Sequence, residues 1–256
     1  MPIPDPELLL HAAAIFFRAG TFLLLLPMFG RPVPVTVRTT MAIFLVIFAV
    51  PLSSPAPELV LPGHWSGLVL IAVRESFIGF MLGFGVSVIF YICQVAGKFI
   101  SMQIGLMQSN LFNPLMNEQE SVLGTGMTMM SIVLIFILNI HHLIIYAFIR
   151  SLTIAPPGVS AFSGASAEQV VGGIGNIFLI STQMAAPLIA VNYIVTLAFA
   201  ILGRAVPSMN VLILSFGVRV FAGISVLILI FIVMAQFLLS VIHDTPERML
   251  QFLPIR

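Results

Sequence analysis

Apolar runs too long to be hidden in a soluble core recur along this chain, at Leu8–Met28, Val35–Pro51, Leu68–Lys98, Met127–Arg150, Ile177–Gly203 and Asn210–His243. A helix crosses a bilayer with about 20 apolar residues, about 17–25 being usual, so about six such helices are expected. His11 and Arg18 interrupt the first run, and the second is short. The third and sixth exceed one crossing, which predicts tilt, a kink or extension beyond the bilayer. Charge agrees with this reading. The 256 residues hold only 10 Lys+Arg and 9 Asp+Glu, 7% of the chain, against roughly a quarter in soluble domains. Lipid or other membrane proteins must therefore cover most of the surface, and the expected fold class is an all-α polytopic membrane protein of helical hairpins.

The same composition excludes whole classes of function. The net charge is +1, and Lys98 is the single lysine; no basic patch exists to neutralise phosphates, so no nucleic-acid partner is expected. The one cysteine, Cys93, lies in an apolar stretch, which leaves no disulfide within the chain and no cysteine-based metal site. Asp5 and Glu7 stand where a signal peptide would be basic, and the first run ends at Pro27-Met28-Phe29, so the N-terminus is read as retained.

Between the runs the sequence turns. Gly30-Arg31-Pro32-Val33-Pro34 and Ser53-Ser54-Pro55-Ala56-Pro57 exclude continuous helix. Ala155-Pro156-Pro157-Gly158 opens a small-residue loop expected to run to Gly175. Only Arg204–Met209, containing Pro207, joins the last two runs, so they form an antiparallel helical hairpin. Arg31 and Arg38 follow the first run, while the N-terminus carries no basic residue. The positive-inside rule then puts the N-terminus outside the cytoplasm.

Polar residues within the runs are the candidates for function. Arg74 and Glu75 head the third run, followed by Gly79 and Gly83 on one helix face, a spacing that permits close helix approach. They read either as ordinary packing with a charge pair at a membrane interface, or as charges that pair with another subunit. Gln94, Lys98 and Gln103 break the apolar character further on. From Met102 to Met130 the chain holds six of its 14 methionines, interleaved with Gln103, Gln108, Asn110, Asn113, Asn117 and Gln119. Thioethers conform to varied shapes and amides hydrogen-bond without adding charge. This stretch is either a re-entrant or extramembrane loop, or a deformable, nearly uncharged closure for a wide conduit.

Chemistry finds little support. His141 and His142 interrupt the fourth run, but neighbours on a helix diverge by about 100° and no third ligand lies near in sequence, so packing outweighs metal binding or proton relay. Gly172-Gly173-Ile174-Gly175 follows no strand, and no G-x-S-x-G occurs. No catalytic residue, cofactor site or metal site is assigned. The alternatives weighed are a small-molecule secondary transporter, with its broken helices and mid-membrane polar groups, and an intramembrane enzyme using His141 or His142. Against a transporter stand the lack of an internal repeat and the scarcity of intramembrane carboxylates.

In order along the chain, these motifs resemble the FliR family of flagellar export-gate proteins, with its SctT counterparts in virulence secretion. The most specific block is Gly203-Arg204-Ala205-Val206-Pro207-Ser208-Met209-Asn210-Val211, similar to the family's hairpin signature; Gly203, Arg204, Pro207 and Asn210 are its marks here. Arg31, Pro34 and Arg38, then Arg74-Glu75 with Gly79 and Gly83, precede it. Gln94-x-x-Gly97, Gln103-x-Gly105, Asn113-Pro114, Pro156-x-Gly158 and Pro187 complete the set. The resemblance implies a FliP-like portion over residues 1–176, with a plug loop at about 105–123, and a FliQ-like hairpin and short tail over residues 177–256. It implies one copy of the chain among FliP-like and FliQ-like subunits, an associated FlhB-like protein, and a pore for unfolded exported proteins in the bacterial inner membrane, projecting to the periplasmic side. The plug residues it points to are Met107, Leu111, Phe112, Leu115 and Met116.

Overall fold

A computed structural model describes residues 5–29, 33–53, 64–108, 121–158, 164–206 and 211–253. Among them are eight α-helices and no strand: α1 Pro6–Leu25, α2 Val35–Ala49, α3 Trp65–Ile104, α4 Val122–Ile137, α5 Ile140–Ile154, α6 Gly164–Ala205, α7 Val211–His243 and α8 Thr245–Gln251. Helix is what such a sequence must form, because a backbone in lipid has to satisfy its own hydrogen bonds. Five helices are long and apolar enough to cross a membrane, and the bent pair α4–α5 makes a sixth if it counts as one span. The protein is a multi-pass membrane protein.

Two of the expected boundaries are corrected. The fourth apolar run is not one helix: it breaks at Leu138–Asn139, where Asn139 adopts φ 57°, and the axes turn through 79°. Asparagine is among the few side-chain-bearing residues that enter this left-handed region readily. The supposed small-residue loop is also shorter than expected, because α6 already begins at Gly164 and its first turns include Gly172, Gly173 and Gly175. Gly173 is covered by the rings of Phe84 and Phe252, a tertiary contact that offsets the poor helix propensity of glycine.

The chain divides into two compact units, the first comprising Met1–Val88, Ile135–Ile174 and His243–Arg256. There α1 enters with Pro6 in its first turn and Glu7 beside the positive helix end, and it stops before the turn Pro27–Phe29. The rings of Phe22 and Phe148 stack at 5.1 Å, and Ile15, Ala49 and Leu152 close a small core. The early part of α3 runs tightly along α1. A Cβ on Gly79 would collide with Thr21 Oγ1 and the Arg18 carbonyl, and one on Gly83 would stand 2.9 Å from Leu25 Cβ. Ser87 Oγ donates to Leu25 O at 2.8 Å, and Phe252, just beyond α8, meets the edge of Phe84.

The second unit comprises Ile89–Leu134 and Gly175–Ile242. Here α3 and α4 touch backbone to backbone, since a Cβ on Gly97 would overlap Gly124. Ser121 stands at the head of α4 and ties the contact: its hydroxyl donates to Gly97 O, accepts from Gly124 N–H at 3.0 Å, and meets Ser101 Oγ at 2.6 Å. Ser181 of α6 donates to Ile92 O at 3.0 Å. Pro187 of α6 lies opposite Ile230–Phe237 of α7, and Asn192 lies opposite Arg219–Val226. Numbers rise on one helix as they fall on the other, so α6 and α7 are antiparallel.

Candidate functional site

The most enclosed polar cluster belongs to the first unit. Arg18 of α1 and Glu75 of α3 form an ion pair at 2.7 Å with side-chain exposures of 0% and 1%. Arg18 Nε donates to Glu75 Oε2, Nη1 to Ser151 O at 3.2 Å and Nη2 to Ala155 O at 2.9 Å. Those carbonyls end α5, so Arg18 caps the negative pole of that helix from across the unit. The other carboxylate oxygen accepts the Gly158 N–H at 2.7 Å. Four segments (α1, α3, the end of α5 and the turn after it) thus converge on one pair of charges. His11, a further interruption of the first run, places Nε2 2.9 Å from Ser53 Oγ.

Of the sequence candidates, Glu75 is engaged within the chain by Arg18 and the Gly158 N–H. Arg74 is half-buried and makes no ion pair among the described residues. The pairing of Arg18 is not among the sequence expectations, although the sequence carries a signal for it. Glu75 is the only acid within the six apolar runs, and an arginine in such a run calls for an acid. Gln94 and Lys98 are half-buried on α3. Gln103, near the end of α3, accepts a 2.6 Å bond from Asn192 Nδ2 of α6. Met107 sits in the turn Leu106–Gln108, reached through Gly105 at φ 90°. Leu111, Phe112, Leu115 and Met116 lie outside the described residues, as do Pro207 and Asn210 of the hairpin signature. Gly203 is half-buried and Arg204 exposed in the last turn of α6.

His141 packs its ring against Phe136 at 5.0 Å and His142 at 4.0 Å. No group of three or more metal-ligating side chains occurs among the described residues. His141 also edges an apolar groove of about 710 Å³ in the first unit, walled by Phe22, Leu26, Met41, Phe44, Phe48 and Ile145. Such an arrangement suits the packing of apolar chains rather than bond-making.

Comparison with known proteins agrees with the architecture. Residues 9–245 match the model of a family described as bacterial export proteins, family 1. The chain is 26% identical over 245 residues to the flagellar biosynthetic protein FliR of Bacillus subtilis, covering 94% of this chain and 93% of that protein. It is 28% identical over 221 residues to FliR of Caulobacter vibrioides, covering 85% and 87% of the two. It is 28% identical over 156 residues to the Yop proteins translocation protein T of Yersinia pestis, covering 59% of each.

Proposed function

Because the chain belongs to the bacterial export proteins, family 1, we propose that it is a subunit of a flagellar or type III export apparatus, forming and closing the inner-membrane pore through which unfolded substrates enter. The observation that carries the reading is a family match running through nearly the whole chain. Relatives named for both flagellar biosynthesis and Yop translocation support it. So does the surface: α2, α6 and α7 leave large apolar side chains such as Phe48, Ile201 and Leu229 uncovered, as a chain made to be surrounded by lipid and partner subunits would.

In this reading one copy assembles with FliP-like and FliQ-like subunits and an FlhB-like protein, projecting to the periplasmic side. Residues 1–176 form the FliP-like portion and residues 177–256 the FliQ-like hairpin; the antiparallel pairing of α6 with α7 supports the latter. The chain carries no catalysis of its own. Met107, Leu111, Phe112, Leu115 and Met116 form the closure, built from side chains that deform without charge.

Two measurements test this. A mild-detergent pulldown of the tagged chain from its native host, read by mass spectrometry, is expected to recover FliP-like and FliQ-like subunits; a stable lone chain or homodimer would end the proposal. Replacing Met107, Phe112 and Met116 together by Ala is expected to raise ion leakage through assembled complexes. Unchanged permeability would remove these residues from the closure while leaving the assembly reading in place.

A further inference from the structure

Among the described residues Arg219 is a cation that makes no ion pair. It lies eight residues beyond Val211 on the apolar helix α7, half-buried, with its Nε enclosed and bonded to nothing. On α6, Asn192 Oδ1 is enclosed and unbonded in the same way. The two side chains line one cavity of about 10 Å³ together with Gln103, which is room for about one water between donor and acceptor. A water would satisfy those two atoms and leave the charge. Nε is the only nitrogen of this guanidinium enclosed without a partner; the residue is half-buried rather than sealed, which leaves Nη1 and Nη2 accessible.

No described residue on the neighbouring helices can neutralise that charge. The described residues of this unit, 89–108, 121–134, 175–206 and 211–242, contain no Asp or Glu, and their other charges are Lys98 and Arg204. Glu118 and Glu120, which also belong to the unit, lie outside the described residues. An ionised group in an apolar setting is costly unless paired, and within membrane segments such groups face protein or a water-filled cavity. Protein is the cover the helix itself calls for. Exposed apolar side chains on α6 run from Val171 to Ile201, about 45 Å at about 1.5 Å per residue. The hydrocarbon layer is about 30 Å thick. Fitting all of them within it would need a tilt of nearly 50°, beyond the range of about 0–40° that helices adopt.

We propose that Arg219 is a docking residue: a membrane helix of a partner subunit sets an Asp or Glu carboxylate against Nη1 and Nη2 at the α6–α7 hairpin. This rests on reading the chain as a subunit of a larger assembly. Phe216 is exposed one turn before Arg219, so a photoreactive phenylalanine analogue there probes the site with Arg219 intact. In the full chain in its native host, the expected crosslink is to a partner protein segment holding Asp or Glu within about one helical turn. A crosslink to phospholipid alone, or to a segment without an acid, would overturn the proposal. In parallel, Arg219→Gln is expected to lower the partner recovered per tagged chain by roughly tenfold or more, while Arg219→Lys retains most of it. If wild type recovers its partners and Arg219→Gln does so equally, the docking role falls and the export-subunit reading stands. If wild type recovers no partner, both fall.

Discussion

Replacing Glu75 by Gln keeps the shape of the side chain and removes its charge, which isolates the energetic role of the buried pair. Arg18 would retain Ser151 O and Ala155 O as acceptors, but no counter-ion would remain in a site where both side chains are essentially sealed. The amide also offers only one acceptor where Glu75 uses two, since Arg18 Nε and Gly158 N–H both donate to the carboxylate. One of these donors must then face an NH2 group. Breaking a buried pair from one side costs about 3–5 kcal/mol. For a chain of this size each kcal/mol moves the melting temperature by about 2–4 °C, so a fall on the order of 10 °C is expected. The assay is the fraction of tagged protein that stays monodisperse in mild detergent after heating through a temperature series. The double variant Arg18→Met/Glu75→Leu removes both charges and should lose less than the two single variants summed, with a coupling of about 1–3 kcal/mol. A Glu75→Gln midpoint within about 2 °C of wild type, or strict additivity, would refute the reasoning.

Two other substitutions test the close helix contacts by the same heating assay. Gly79→Ala should destabilise by about 1–3 kcal/mol, because its Cβ meets the Arg18 carbonyl and Thr21 Oγ1 and α1 must move. Gly126→Ala, with nothing within 4 Å of the added carbon, should be neutral or stabilising by up to about 1 kcal/mol; equal effects at the two sites would contradict the packing. Ser121→Ala removes the donor to Gly97 O and the acceptor for Gly124 N–H and is expected to cost about 1–2 kcal/mol, whereas an unchanged midpoint would mean the α3–α4 contact does not depend on that hydroxyl.

The positions of the helices were legible in the sequence because each rests on a local quantity. A long run without charge in lipid can close its backbone hydrogen bonds only as helix, and α1, α2, α3 and α7 fall where hydropathy puts them. The break at Asn139 was not legible. A single left-handed residue leaves hydropathy untouched, and the apolar run continues across it. The early start of α6 was hidden for the opposite reason: Gly172, Gly173 and Gly175 read as a loop until Phe84 and Phe252 are brought against Gly173.

The class of molecule and the family order of its motifs follow from composition and order alone, since both depend on which residues are present and in what succession. Tertiary structure alone decided which polar groups meet. Arg18 and Glu75 are 57 residues apart, and Asn192 and Gln103 are 89 apart. Neither pairing follows from spacing, because each depends on the angle and depth at which two helices cross. The same crossing leaves Arg219 beside two amides and, among the described residues, no acid. A charge is counted in the sequence, but only packing determines whether its counter-ion lies within the same chain.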